Sequence, residues 1–249
     1  LKLIIKLHVG ESLGMGPPVL TVACLGDSLT KSGYPEDLHE ILGEASNDVQ
    51  WRVLNFGVNG ATATVPKGQP GVGYICKREF QEALASCANV AAVLLGTNDA
   101  HQAYWDEQRF VDGLTSLVQR ILASSVPPPE VLLMVPPPLC HNDHQLSCRL
   151  QKPVINGILP RLIPELAREL GVGFVDVFSA FGDLGHSKRD AYLADGCHLA
   201  RAGRRRLAEV VADAVLNAAG LGAKERLEDE GSDVEEEICG SFEVKCTVQ

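Results

Sequence analysis

Five short apolar segments, separated from one another by helix-like patterns, constrain the fold of this chain most strongly. Their length suits strands that are buried on both faces of a sheet, and they are Val19–Leu25, Trp51–Leu54, Val90–Leu95, Val131–Val135 and Gly173–Val177. Strands that alternate with helices are joined by right-handed crossovers, which give a parallel sheet covered on both faces. The sequence therefore predicts an α/β fold, a three-layer sandwich around a five-stranded parallel sheet.

The segments between the apolar runs show the 3.6-residue periodicity of amphipathic helices. One such stripe follows Asp106, which is suited to cap a helix, and Pro35 suits a first helical turn. Another stripe runs from residue 155 to residue 170, where Pro160 and Pro164 are expected to kink or split the helix. A last apolar stripe predicts a terminal helix whose solvated face carries a basic run, at Arg201, Arg204, Arg205 and Arg206.

Length and charge divide the chain into one domain and two flanks. The 249 residues suit one large domain, which we place at 19–219. Residues 224–249 contain nine acids and three bases, so this segment carries −6 of the net charge of −10. We therefore predict that 220–249 is an acidic, disordered tail. The first 18 residues alternate at their start and are compatible with an extra strand.

The composition excludes several classes of protein. A hydrophobic share of 45% and a charged share of 22% are ordinary for a globular domain, and the negative charge argues against broad nucleic-acid binding. No apolar run reaches the roughly 20 residues that a membrane span needs. None of the eight cysteines forms a Cys-x-x-Cys pair, and they do not indicate a disulfide framework. No signal peptide is visible, which favours a cytoplasmic location.

Polar residues follow several of the predicted strands. In a parallel sheet the carboxyl ends of the strands share one edge, and ligands bind there. The relevant loops are Gly26-Asp27-Ser28-Leu29, Asn55 to Gly60, Gly96-Thr97-Asn98-Asp99 and Asp195-Gly196-Cys197-His198. We therefore expect the functional site at this edge.

These loops contain the groups that acyl transfer needs. Ser28 could act as a nucleophile if a base takes its proton, and a histidine such as His198 is suited to that task near neutral pH. Asp195 lies three residues before His198 and could fix its tautomer. The amide of Asn98 and the backbone N–H groups of Gly60 and Ser28 could stabilise an oxyanion.

Together the four loops resemble the ordered motifs of the SGNH (GDSL) hydrolase superfamily, over residues 19–219. The resemblance implies a flavodoxin-like sandwich with Ser28, Asp195 and His198 as the catalytic triad and with Gly60 and Asn98 in the oxyanion hole. It also implies that Asp27 and Asp99 mostly hold loops in place. Neither a metal nor a cofactor is expected. The sequence departs from the superfamily at Leu199, where many members have proline, and Cys197 between the triad residues suggests a redox-sensitive activity.

Other interpretations compete at single residues. Ser12 lies in a Gly-x-Ser-x-Gly pattern that is typical of α/β-hydrolases, but two prolines follow where a helix should begin. Ser28 alone could be a helix cap, Asn98 and Gly60 could be turn residues, and Asp195 and His198 could be a surface pair.

Two further groups of residues admit a binding role. A cluster after the fourth strand suggests either a zinc site or a polar loop at the cleft, at Cys140, His141, Asp143, His144 and Cys148. Tyr104 and Trp105 could stack on a sugar or an acyl group, or could be packed in the core.

The function expected from these features is that of a serine ester hydrolase. Resemblance to carbohydrate O-acetylesterases of the superfamily favours a carbohydrate or small ester as substrate and a short acyl group, with a lipid esterase, a lysophospholipase or a thioesterase as the alternative. A non-catalytic binding module on the same fold is the alternative from another class.

Overall fold

The computed structural model describes residues 17–46, 48–140, 149–182 and 191–222. A parallel sheet of five strands forms its centre, in the order β2-β1-β3-β4-β5, which is the flavodoxin-like order. The strands are β1 (Val19–Gly26), β2 (Gln50–Gly57), β3 (Val90–Leu94), β4 (Glu130–Val135) and β5 (Gly173–Asp176). The predicted α/β class and all five predicted strands are therefore confirmed.

Helices connect the strands and cover the sheet. They are α1 (Ser28–Lys31), α2 (Tyr34–Ala45), α3 (Arg78–Ala85), α4 (Glu107–Leu122), α5 (Leu159–Leu170), α6 (Val177–Gly182) and α7 (Arg201–Ala218). Two short 3₁₀ turns precede α3, at Pro70–Val72 and Tyr74–Cys76, and a π-helical turn at Val154–Ile158 precedes α5.

The side chains of each strand alternate between two apolar cores. On one face, Ala23 and Leu25 of β1 pack with residues of α3, α4 and α5, such as Phe110. On the other face, Val22 and Cys24 pack with residues of α2, α6 and α7. Because successive residues of a strand point to opposite faces, a strand between two helical layers must be apolar throughout. This requirement explains the unbroken apolar runs of β1 and β3. The edge strands β2 and β5 are not buried on both faces, contrary to the prediction, since Arg52 and Phe174 are exposed.

Local sequence signals set the helix boundaries. The side chain of Asp106 accepts a hydrogen bond of 3.0 Å from the N–H of Arg109 and caps α4, as predicted. Pro35 lies in the first turn of α2. The segment with two prolines is divided into a π turn and α5, with Pro160 in the first turn of α5 and Pro164 inside that helix. The helical residues nevertheless run without a break from Lys152 to Leu170, so the prolines do not split this segment, and the expected kink stays a prediction.

The basic run of α7 contacts α2 instead of only facing solvent. Arg204 donates a hydrogen bond of 2.5 Å to the carbonyl of Ser32, and Arg205 lies 3.3 Å from Glu40 of α2. Arg206 pairs within α7, at 3.6 Å from Glu209. The prediction of a merely solvated face was wrong, because helical periodicity shows which face is polar but not which charges of another helix meet it.

The predicted flanks lie almost wholly outside the described residues, so the division of the chain at 19 and 219 stays a prediction. In the described part, the sheet begins at Val19 and α7 ends at Ala218. None of the helices in the described ranges is long and apolar enough to cross a bilayer.

Candidate active site

The end of β1 approaches α1 and β3 very closely. A Cβ atom at Gly26 would lie 2.3 Å from the hydroxyl oxygen of Thr30 and 2.4 Å from the carbonyl oxygen of Leu94, distances that no side chain could occupy. Glycine at this position therefore allows the chain to turn directly from the sheet into α1, with Ser28 as the first residue of that helix.

Asp27 caps the helix that begins at Ser28. Its carboxylate accepts a hydrogen bond of 2.9 Å from the N–H of Leu29 and is fully buried. Burial raises the pKa of Asp27 to about 7, against the lowering effect of this hydrogen bond. The interpretation of Ser28 as the helix cap was wrong, since the preceding carboxylate has that role and leaves the Ser28 hydroxyl free for other contacts.

The structure brings Ser28, His198 and Asp195 into one hydrogen-bonded chain. The Nε2 atom of His198 lies 2.9 Å from the Oγ atom of Ser28, a residue 170 positions away. The Nδ1 atom of the same ring lies 2.6 Å from Oδ2 of Asp195. The imidazole thus bridges a hydroxyl and a carboxylate.

The surroundings of Asp195 define which nitrogen of His198 carries the proton. Burial alone would raise the pKa of Asp195, but hydrogen bonds from the His198 ring and from the N–H groups of Cys197 and His198 outweigh it and lower that pKa. The two N–H groups lie 3.0 and 2.9 Å from Oδ1. An ionised carboxylate only accepts, so Nδ1 donates to it and Nε2 remains the acceptor for the hydroxyl proton of Ser28.

The loop after β2 contributes Gly60 to the same site. Gly60 has a φ of 73°, in the left-handed region where a side chain would strain the backbone. Within the part of the chain that the structure describes, the N–H groups of Gly60 and Ser28 donate to no protein acceptor. Both line one cleft, so two unpaired backbone donors are available there.

Asn98 contributes a side-chain amide whose two N–H groups are already engaged. Its Nδ2 atom donates to Oδ2 of Asp27 at 3.2 Å and to the carbonyl oxygen of Ala61 at 3.1 Å. Asn98 therefore connects the loops after β1, β2 and β3. To donate to a bound oxyanion, it would have to share or release one of these hydrogen bonds.

Asp99 fastens the loop that contains Gly60. Its buried carboxyl accepts hydrogen bonds of 2.9 Å from the N–H groups of Ala63 and Thr64 and one of 3.0 Å from the Thr64 hydroxyl. Because these bonds join the end of β3 to residues 63 and 64, Asp99 holds a loop in place, as the resemblance to the SGNH hydrolases implies.

The buried Asp99 predicts a measurable dependence of stability on pH. Burial raises its pKa from 3.8 to about 6, against the hydrogen bonds from Thr64 and Ala63. A group whose pKa is higher in the folded protein stabilises the fold fully at low pH and loses this contribution as the pH rises through the folded value. We expect the free energy of unfolding of the wild type, minus that of Asp99→Asn, to fall by about 3 kcal/mol between about pH 4 and about pH 7.

Urea denaturation at several pH values measures this difference. Asp213→Asn is the matched control, because Asp213 is exposed on α7. The free energy of unfolding of the wild type minus that of Asp213→Asn should change little with pH. A difference for Asp99→Asn that is constant with pH, or that rises, would contradict the expectation.

The site residues line an open cleft of about 650 Å³. Four of the lining residues are predicted site residues, namely Ser28, Gly60, Asn98 and His198. Five others were not predicted from the sequence: Lys31, Ser32, Asn59, His101 and Leu150. Lys31, Ser32, Asn59 and His101 lie within four residues of a predicted site residue, and this proximity was the only signal that could have indicated them. Leu150 comes from a distant segment and left no signal.

Cys197 also lines the cleft, but its thiol is poorly suited to redox chemistry. Burial, with the charges of Asp27 and Asp195, raises the pKa of Cys197 to about 12. Since the thiolate is the reactive form, this thiol is almost entirely protonated near neutral pH, which argues against the predicted redox sensitivity. The neighbouring Leu199 is buried in the core and forms a bridge with Tyr192.

The other residues that the sequence suggested for binding or catalysis have no demonstrated part in this site. Trp105 packs against Phe110, with ring centroids 5.8 Å apart, and Tyr104 donates to the side chain of Gln69. Ser12 lies outside the described residues, as does the cluster after β4 except for Cys140. Within the described ranges, no group of three or more histidine, cysteine or acidic side chains could hold a metal ion.

The sequence model of the GDSL-like lipase/acylhydrolase family matches residues 24–206. This match covers well over half of the chain and includes all four loops of the site. The chain therefore belongs to this family and is classed with the carboxylic ester hydrolases.

Two relatives have esterase names. An acetylxylan esterase from Xylanibacter ruminicola is 27% identical, over 79% of this chain and 43% of that protein, so the chain spans less than half the length of this relative. An isoamyl acetate-hydrolyzing esterase 1 homolog from Bos taurus is 26% identical, over 78% of this chain and 81% of that protein.

Solved structures show the same fold at low identity. A carbohydrate acetylesterase family member from Sinorhizobium meliloti has a TM-score of 0.61 at 23% identity and covers 81% of this chain and 100% of that one. The native aryl esterase of M. smegmatis has a TM-score of 0.63 at 20% identity and covers 80% of this chain and 99% of that one.

Proposed function

We propose that this protein hydrolyses esters through an acyl-enzyme formed on Ser28, and that it removes acetyl or another short acyl group from a carbohydrate or a small ester. One observation carries the mechanism: the His198 ring lies 2.9 Å from the Ser28 hydroxyl and 2.6 Å from the Asp195 carboxylate, at the edge of an open cleft. A hydroxyl, an imidazole and a carboxylate joined in this order form a nucleophile, its base and the group that orients the base.

In the first half of the reaction, Oγ of Ser28 attacks the carbonyl carbon of the ester while its proton passes to Nε2 of His198. The tetrahedral intermediate carries a negative oxygen, and we assign its stabilisation to the N–H groups of Ser28 and Gly60 and to the amide of Asn98, which must share or release one of its present hydrogen bonds. When the carbon–oxygen bond to the alcohol breaks, His198 returns its proton to the departing alkoxide. The alcohol leaves, and the acyl group remains on Ser28.

In the second half, water takes the place of the alcohol. His198 removes a proton from the water as its oxygen attacks the acyl carbon, and it then protonates Oγ of Ser28 as the acyl–serine bond breaks. The products are a carboxylic acid and the free enzyme. Asp195 accepts the hydrogen bond of Nδ1 throughout and stabilises the imidazolium that forms in each half.

The lining of the cleft supports a short acyl group and a polar alcohol. Among the described lining residues, Leu150 is the only large apolar side chain, whereas a long hydrocarbon chain needs extended apolar surface to leave water. The names of both relatives support an acetyl group as the acyl part, and the acetylxylan of one name also supports a carbohydrate as the alcohol part.

The test is a rate comparison over p-nitrophenyl esters of increasing acyl length, beside acetylated sugars, with Ser28→Ala as the blank. We expect the highest kcat/KM for the acetyl ester and the release of acetate from the sugars. Rates that rise through octanoyl and longer esters would instead identify a lipid esterase. Absence of hydrolysis with every ester would favour the binding module.

A further inference from the structure

A second histidine, His101, lies in the same cleft and has no part in the steps described above. It is half-buried and lines the cleft together with Ser28, Asn98 and His198. The proposed reaction uses only one imidazole as its base, so this second ring is free for another role in the cleft.

The backbone of His101 is fixed from several sides. Its N–H donates to the carbonyl of Asn98 at 3.1 Å, and it forms an antiparallel bridge with Leu150. Its carbonyl accepts hydrogen bonds of 2.8 and 3.0 Å from the N–H groups of Tyr104 and Trp105. Because these contacts tie His101 directly to Asn98, the ring has a defined position relative to the site of reaction.

The ring itself is also held. It stacks on Tyr104, with centroids 4.6 Å apart and an angle of 28° between the planes. The hydroxyl of Tyr104 in turn donates to Gln69 at 3.0 Å. A stacked ring loses little further freedom when a ligand binds, so a hydrogen bond from it is made at low entropic cost.

The hydrogen bonds of His101 define its tautomer. The N–H of Ala103 donates to Nδ1 at 3.1 Å, so Nδ1 carries no proton and Nε2 carries the single proton of the neutral ring. Burial, together with the charge of Arg149, lowers the pKa of His101, which keeps the ring neutral near pH 7. Among the described residues, Nε2 has no hydrogen-bond partner, although it lies on a ring that lines the cleft.

We propose that His101 binds the alcohol half of the ester by donating a hydrogen bond from Nε2 to a hydroxyl or ether oxygen. This inference rests on the proposed function, and in it His101 determines which esters the protein prefers. The mechanism proposed above already gives the acyl oxygen the two unpaired backbone donors of Ser28 and Gly60, so the N–H of His101 suits a different oxygen of the substrate. Such a donor favours a polyol such as a sugar over an alcohol with no further acceptor.

Two substitutions separate the hydrogen bond from the stacking. His101→Phe keeps an aromatic ring on Tyr104 but removes the donor, and His101→Gln keeps an amide donor but removes the ring. The measured quantity is the ratio of kcat/KM for a monoacetylated xylose to that for p-nitrophenyl acetate. Both substrates transfer the same acyl group, and only the sugar carries free hydroxyl groups beside the ester.

We expect the ratio to fall about tenfold in His101→Phe, mainly through KM for the sugar, and to recover at least in part in His101→Gln. His39→Phe is the matched control, because His39 is exposed on α2 and lies outside the cleft. It should leave both the ratio and the basal activity unchanged. If circular dichroism shows that His101→Phe does not fold, His101→Leu serves as the donor-free variant.

An unchanged ratio in the donor-free variant would overturn this proposal while the proposed function stands. An equal loss on both substrates in the donor-free and Gln variants would also overturn it, because that result indicates a structural role. Wild-type protein that hydrolyses p-nitrophenyl acetate but not the sugar acetate would overturn both this inference and the carbohydrate part of the proposed function.

Discussion

Replacement of Ser28 by alanine is expected to lower kcat for p-nitrophenyl acetate by about 10⁴-fold or more. The methyl group of alanine cannot attack the ester. Among the residues that the structure describes, Ser28 is the only one whose hydroxyl lies within hydrogen-bond distance of Nε2 of His198, at 2.9 Å. The residual rate should come only from water and from the backbone donors of the cleft. The burst of p-nitrophenol that an accumulating acyl-enzyme produces should disappear as well.

The control for this substitution is Ser12→Ala, since Ser12 is the serine of the competing Gly-x-Ser-x-Gly pattern. It should retain the wild-type rate. Loss of activity in Ser12→Ala, with wild-type activity in Ser28→Ala, would identify Ser12 as the nucleophile and refute the proposed mechanism. Thermal unfolding of both variants shows whether a lost rate reflects lost structure.

Asp195→Asn is expected to lower kcat by about 10⁴-fold without removing any group that attacks the substrate. The N–H groups of Cys197 and His198 point at Oδ1, so the amide oxygen of asparagine would occupy that position. Its NH₂ group would then face Nδ1 of His198, 2.6 Å from the present carboxylate oxygen. Nδ1 could no longer donate, and the ring proton would move to Nε2, which could not accept the proton of Ser28.

This prediction has a specific signature. The large loss should appear in kcat. The KM should change little, because Asp195 is not among the residues that line the cleft. The control is Asp213→Asn on α7, which should keep the wild-type kcat. A loss of less than tenfold in Asp195→Asn would show that the carboxylate does not define the tautomer of His198.

Much of the fold could be predicted because it depends on patterns within single segments. Strands buried on both faces must be apolar throughout, so β1 and β3 could be recognised before any contact was known. The cap at Asp106 and the helix that starts at Pro35 depend on hydrogen bonding and backbone geometry within one turn. Such signals do not require knowledge of the tertiary structure.

The site was only partly predictable, for a physical reason. Ser28, Asn98, Asp195 and His198 belong to recognisable motifs, and the fold places them together as expected. The contacts of Arg204 with Ser32, and of the Asn98 amide with Asp27 and Ala61, depend on distances between remote segments. Likewise, a lone histidine at position 101 looks the same in sequence whether it faces a cleft or bulk solvent.

The 170 residues that separate Ser28 from His198 have a consequence during protein synthesis. Under the proposed roles, a nascent chain that has left the ribosome only as far as β5 already contains the nucleophile but lacks its base. The base can be positioned only after α7, which follows His198 by three residues and packs on α2, has also emerged and docked. Hydrolysis of esters would therefore begin only after all layers of the domain have folded. The appearance of activity would then report that folding is complete.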